Sequence, residues 1–272
     1  MEKVSSFYFF DDDSLEAIAH RFRSAYQSAQ PFSHAVMDDF LPDYVANRLA
    51  AEFPSPTQIA WKNKTHEHSK KLACDDETKM PPFTRSMLAQ FNSAPFVRFL
   101  EELTGIRGLI VDPSFEGGGL HQIEQGGFLH VHADFNRHPT LPLDRRLNLL
   151  FYLNKDWRQD YGGALELWNK TMTQCEARIL PIFNRCVVFS TTDTSYHGHP
   201  HPLTCPPGIT RKSIAFYYYT NGRPANEISF SHSTLYKRAP GEKWFLGFKH
   251  VAKKIVPPIV LDFARYVYGK MK

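Results

Sequence analysis

Around residue 107 the texture of the chain changes, and that change constrains the fold more than any other feature. Before it, apolar residues recur every three or four positions; after it, short apolar runs alternate with turn residues. Eight of these runs read as strands: 108–111, 120–124, 128–135, 147–153, 164–168, 178–182, 186–190 and 213–220. Eight short strands within about 115 residues suggest a sandwich or jelly roll. Ahead of them, residues 14–30 carry Ile18, Phe22 and Tyr26 at fourfold spacing, with Ser14 as the expected N-cap and Pro31 as terminator. Residues 43–53 place Val45, Leu49 and Phe53 on one stripe. Pro95 opens a third helix with Phe96, Phe99, Leu100 and Leu103 inward, and Gly105 closes it. A lysine-rich segment, 62–79, reads as a polar loop. Helices first and strands afterwards make an α+β fold. Its expected parts are an N-terminal helical buttress (1–105), a jelly-roll core (106–222) and a basic amphipathic extension (223–272).

A chain of 272 residues with 42% hydrophobic content can bury a large core without disulfides or a partner. Cys74, Cys175, Cys186 and Cys205 lie far apart with no CxxC pair, so reduced thiols in a cytoplasm are the simplest account. MEKVSSFYFFDDD lacks the basic start and cleavage site of a signal peptide, and no run of 18 apolar residues predicts a membrane span. Charge is asymmetric: residues 237–272 hold nine Lys or Arg against two acids, leaving 23 against 26 in the first 236. A basic, aromatic tail ending in VLDFARYVYGKMK suits either a helix packed on the domain with a solvated face or contact with an anionic membrane or partner. The slightly acidic remainder does not advertise a nucleic-acid groove.

The stretch FLHVHADF, residues 128–135, sets two histidines and an aspartate at alternate positions of an apolar strand, hence on one face. A redox-active iron needs few protein ligands and open neighbouring positions, which two histidines and one carboxylate supply. At a rise of about 3.3 Å per residue, His132 and Asp134 start roughly 6.6 Å apart and can converge, whereas His130 and Asp134 start about 13 Å apart. With 13 His and 15 Asp in the chain, chance alone predicts about 0.7 His-x-Asp, so the pair needs context. Context comes from SYHGHPHPL, which follows the strand CVVFS. His197, first after that strand, is the expected third ligand, with His199 and His201 as alternatives; the bland reading is a His-Pro surface loop.

Arg211 opens the strand RKSIAFYYYT. A guanidinium at the start of a buried strand is costly unless a carboxylate meets it, and no acid stands nearby in sequence. A dicarboxylate ligand would meet that need, with Ser213 on the same face as a second donor; the alternative is a distant protein acid.

These pieces in this order resemble the 2-oxoglutarate- and iron(II)-dependent oxygenases, in particular the prolyl 4-hydroxylase-like branch. The motifs are HADFN (132–136), LLFYLNKDW (149–157), YGGALELW (161–168), PIFNRCVVFS (181–190), YHGHP (196–200) and RKSIAFYYY (211–219). The resemblance implies a double-stranded β-helix core in which His132, Asp134 and His197 bind Fe(II). It implies that Arg211 binds the distal carboxylate of 2-oxoglutarate and that the Tyr152 hydroxyl assists. Gln122 stands where some relatives have a tyrosine near the keto acid. It further implies O2 as co-substrate, with ascorbate open as a reductant, and a hydroxylase that releases succinate and carbon dioxide. Related halogenating enzymes lack the carboxylate, so Asp134 favours hydroxylation or a related oxidation. Gly162 and Gly163 read as turn residues that allow close backbone approach. Substrates expected are a protein side chain or a small metabolite, with segment 62–79 and the His-Pro loop flanking the opening. The alternative from another class is a non-catalytic jelly-roll or cupin-like small-molecule or sugar-binding protein. Oligomeric state is not legible.

Overall fold

The computed structural model describes residues 9–241. The elements below belong to one compact unit that ends at Pro240, and the basic stretch 242–272 lies outside the described residues. Helix α1 (Asp12–Ser28) starts three residues earlier than Ser14 as cap would require, because Asp11 caps it. The Asp11 carboxylate accepts the Ser14 N–H at 3.0 Å and its hydroxyl at 2.7 Å, and Asp12 and Asp13 add favourable charge to the first turn. A short strand, β1 (His34–Met37), follows, then α2 (Asp43–Glu52) as expected.

Segment 62–79 is not a loop. It forms β2 (Lys62–Asn63), β3 (Ser69–Lys70) and β4 (Leu72–Cys74), then a single 3-10 turn, Glu77–Lys79. Strands of two or three residues with exposed lysines carry no alternation to read; their partners in other parts of the chain make them strands. Next come α3 (Pro82–Phe91), which the periodic reading passed over despite its buried Phe83, Met87, Leu88 and Phe91, and α4 (Ala94–Thr104). Gly105 ends α4 in the left-handed region, with φ 77°, and its N–H bonds to the Glu101 carbonyl.

The eight expected strands are all present with shifted ends. They are β5 (Ile110–Val111), β6 (Gly119–Ile123), β7 (Phe128–Ala133), β8 (Asp144–Tyr152), β9 (Leu165–Trp168), β10 (Cys175–Ile179), β11 (Arg185–Ser190) and β13 (Arg211–Thr220). Two more lie where the sequence predicts none: β12 (His197–His199), in the expected His-Pro loop, and β14 (Leu235–Tyr236), in the stretch expected to be tail.

Two antiparallel sheets result. One runs β1-β11-β8-β13-β6-β4-β2, with β5 beside β13; the other runs β10-β9-β12-β7-β14, with β3 beside β7. Period-two alternation then divides the work of the central strands. Leu147, Leu149 and Phe151 of β8 and Ile214, Phe216 and Tyr218 of β13 join one buried cluster with residues of α1, α2, α3 and α4, among them Tyr26, Leu49, Phe91 and Phe99. Phe91 stacks on Phe216 at 4.6 Å between ring centroids. The opposite faces of the same strands present Asn148, Leu150, Arg211, Ser213 and Tyr217 to a cavity that residues of both sheets line. All four cysteines are free thiols.

Candidate functional site

The cavity is built around one cross-strand pair. His197 of β12 sits directly opposite His132 of β7, so residues 65 positions apart close onto a single rung of the ladder. Their ring centroids are 4.5 Å apart. Asp134, just past the end of β7, completes a group whose ligand atoms all lie within 4.8 Å of one another. His132 donates Nδ1–H to the His130 carbonyl at 2.9 Å, and His197 donates Nδ1–H to the Ser195 carbonyl at 3.0 Å. Carbonyls only accept, so each ring carries its proton on Nδ1 and turns an Nε2 lone pair inward. These Nε2 atoms stand 3.5 and 3.4 Å from the two Asp134 oxygens. Burial pushes the His197 imidazole down to about 4, against the pull of Asp134, which keeps that lone pair available at neutral pH. Two imidazole lone pairs and a carboxylate facing one another form an acceptor-only cluster, and a divalent cation is the partner that such a donor set fits.

Asp134 is held by groups that sequence reasoning missed. Arg145 donates Nη2–H to Asp134 Oδ2 at 3.0 Å, and Asn148 donates to the same oxygen at 2.6 Å. Arg145 is fully buried, its guanidinium stacked between the rings of Phe135 (4.4 Å) and Tyr217 (3.4 Å). Burial would raise the Asp134 carboxyl, but the Arg145 guanidinium leads the interactions that outweigh it and hold the group well below the usual carboxylate range. The signal was present: Arg145 and Asn148 interrupt the otherwise buried strand DRRLNLLFY, and a charged or amide side chain there must find a partner.

Gly198, between His197 and the next histidine, lies flat on β7. A Cβ there would come within 2.9 Å of the Leu129 and His130 carbonyl oxygens and the Val131 Cα. Backbone cannot yield as a side chain tip can, so Gly198→Ala is expected to lift β12 off β7. We expect a loss of about 1–3 kcal/mol of stability in denaturant melts together with weaker Mn(II) binding. An unchanged melt would show that the rung is adjustable.

Of the other histidines, His199 lies on the same strand face as His197 but further along the cavity, outside the group of converging ligand atoms, and both its ring nitrogens lack a partner among the described residues. His201 is exposed beside an outer depression with Gln159 and Arg178. His130 turns away to meet His68, Nδ1 to Nδ1 at 3.4 Å.

Arg211 is 4% exposed and meets no carboxylate among the described residues. It donates Nε–H to the Gly163 carbonyl at 2.7 Å and Nη2–H to the Tyr152 hydroxyl at 3.2 Å. Gly163 adopts φ 70°, and a Cβ there would strike Leu203 and crowd Arg211, so the close approach read for this glycine is real. Ser213 lines the same cavity. Gln122 does not. Its amide donates to the Pro54 carbonyl at 3.0 Å and accepts from Thr210 at 2.7 Å, on the face of β6 away from the cavity. Alternation is the cause: His121 and Ile123 face inward, so the residue between them cannot. The expected keto-acid role of Gln122 is corrected accordingly.

The sequence profile of the 2OG-Fe(II) oxygenase superfamily matches residues 118–219, a span that contains the histidine rung, Asp134 and Arg211. Over that span the chain is similar to that superfamily. The match is to 2-oxoglutarate- and iron(II)-dependent oxygenases, the fold is like that of the prolyl hydroxylases, and the non-catalytic sugar-binding alternative is not favoured. No curated protein sequence matches it significantly. Among solved structures, it is similar to a prolyl hydroxylase from Trichoplax adhaerens in complex with a hypoxia inducible factor oxygen degradation domain peptide fragment. That likeness has 16% identity and TM-score 0.55, covering 76% of this chain and 91% of the other. Prolyl 4-hydroxylase from Phytophthora capsici gives 19% identity and TM-score 0.51, covering 80% and 68%. At these identities the likeness speaks for the fold.

Proposed function

We propose that Nε2 of His132 and of His197 and the carboxylate of Asp134 hold the Fe(II), and that Arg211 takes the distal carboxylate of 2-oxoglutarate, with Tyr152 and Ser213 as flanking hydroxyls. The oxygenase then hydroxylates an unactivated C–H bond of a protein side chain or a small metabolite. One juxtaposition carries this reading: three converging ligand atoms share a cavity with a buried guanidinium that no protein carboxylate neutralises among the described residues.

Bound iron with 2-oxoglutarate supplies the oxidation of the C–H bond by dioxygen, coupled to conversion of the keto acid to succinate and carbon dioxide. The protein's own groups position and hold. His130 and Ser195 carbonyls lock the imidazoles through their Nδ1 protons. Arg145 and Asn148 keep Asp134 ionised and aimed. Arg211 is itself oriented by Gly163 and Tyr152, so a carboxylate arriving at its free edge finds a prearranged fork. Leu150, Leu165 and Tyr217 along the wall limit water near the reacting atom.

The test is spectroscopic. Anaerobic Fe(II) plus 2-oxoglutarate should give the weak visible charge-transfer band of a chelated keto acid. A folded protein that binds neither component would reinstate the binding-protein reading.

A further inference from the structure

The N-terminal wall of the cavity carries charge that the reaction described so far does not use. Residues around β3 and β4 alternate toward it, contributing Lys64, His66, Ser69, Lys71, Ala73 and Asp75. Asp75 is neutralised by the Lys62 ammonium at 2.5 Å, and Asp134 is committed to the histidine rung and Arg145. Lys71 remains. No hydrogen bond or ion pair among the described residues reaches its ammonium, although it is only partly exposed and lies close enough to Asp134 and Arg211 to interact with both charges. Burial pushes it down to about 8; Asp134 opposes this, while Lys64, Arg211 and Arg145 add repulsion. Lys64, exposed at the mouth, also has no acid partner among the described residues.

An unpaired ammonium in a cavity that already holds a buried guanidinium costs stability, and folding alone gives no return for it. Nor does the co-substrate explain it. 2-Oxoglutarate has two carboxylates: one is assigned to Arg211, and the other, with the keto oxygen, to the metal. We propose that the prime substrate carries an anionic group, a carboxylate or a phosphate, that Lys71 binds inside the cavity, with Lys64 at the mouth drawing it in. This rests on the reading above, because it needs Arg211 to be occupied by the co-substrate. The chemistry of lysine suits such a role. Its ammonium is a compact point charge on a flexible stem, and it can follow an anionic group while a C–H bond is aimed at the triad. Segment 62–79, the lysine-rich stretch of the sequence, thereby acts as the substrate-selecting wall.

The experiment uses the full chain loaded with Mn(II), which does not turn over, and saturating 2-oxoglutarate. Inorganic phosphate and 13C-labelled acetate are titrated separately, and Mn(II)-induced relaxation of 31P and 13C reports binding near the metal. Saturable relaxation of at least one anion is expected in the wild type. Lys71→Met should weaken it by at least about tenfold, as loss of one charge-assisted hydrogen bond would, while Lys71→Arg retains most of it. Which anion binds tighter separates carboxylate from phosphate. Both variants should bind 2-oxoglutarate as the wild type does, and Lys71→Met should melt no lower, since an unpaired buried charge has been removed. Relaxation that is absent in the wild type or unchanged in Lys71→Met overturns the proposal. So does a loss of 2-oxoglutarate affinity in Lys71→Met comparable to that in Arg211→Gln, which would make Lys71 a co-substrate ligand. Failure of the wild type to bind Mn(II) and 2-oxoglutarate at all is a separate result, and it removes the underlying reading first.

Discussion

His132→Ala is expected to lose metal binding by more than about 100-fold and succinate production to background while remaining folded, since removing even an outer partner of a metal ligand costs 10–100-fold. The fold survives because the ring's only hydrogen bond among the described residues is to the His130 carbonyl, which water entering the vacated space can satisfy. Asp134→Ala should behave differently. A reading from sequence would treat both positions as solvent-reachable and expect both alanine variants to stay intact. The Asp134 side chain is only 11% exposed and neutralises Arg145, whose side chain is 1% exposed. Removing it strands that guanidinium and the Asn148 amide, at a cost of about 3–5 kcal/mol. Asp134→Ala therefore lowers stability as well as activity, and Asp134→Asn should restore part of the stability without the activity. Mn(II) titration, thermal melts and succinate assays on the three variants separate these effects. Normal succinate output from His132→Ala would end the iron assignment.

Arg211→Ala is expected to raise the 2-oxoglutarate requirement by about 30- to 4,000-fold, the range for truncating one side of a buried charge pair, while Mn(II) affinity stays close to wild type. The separation follows from position. Arg211 contacts Gly163 and Tyr152 and none of the three ligand residues, so its loss leaves the histidine rung standing. Some destabilisation, about 1–3 kcal/mol, should accompany it because the Gly163 carbonyl is left without its donor. Separate titrations of Mn(II) and 2-oxoglutarate provide the check. An equal fall in both affinities would identify a structural arginine.

Much of the centre was readable because its residues break local rules. His132 and Asp134 put polar groups into an apolar strand, and Arg211 puts a cation at the head of another; each violation asks for a partner. His197 was harder. Choosing it over His199 and His201 rested on its closeness to CVVFS, whereas the decisive fact is its pairing with His132, a relation between residues 65 positions apart. Gln122 failed for the opposite reason. Only the resemblance places it near the keto acid, at a position where some relatives have a tyrosine, and the pleat turns it toward Pro54 and Thr210. Lys71 belongs to a segment that reads as a polar loop, and the pairing of β3 with β7 and of β4 with β6 brings it to the cavity.

Taken alone, the order of residues determined the α+β class, all eight principal strands, three of the four α-helices among the described residues and the residue types from which the candidate centre is built. These are local properties: hydrophobic period, turn residues and the cost of burying a charge are felt within a few residues of their source. Tertiary structure decided which histidine meets Asp134, that Arg145 and Asn148 hold it, and that the lysine-rich segment is a wall rather than a loop. Those outcomes depend on strand register and on which face of each pleat turns inward. Register is set by pairing between distant segments, and a slip of one residue would reverse every side chain on the strand.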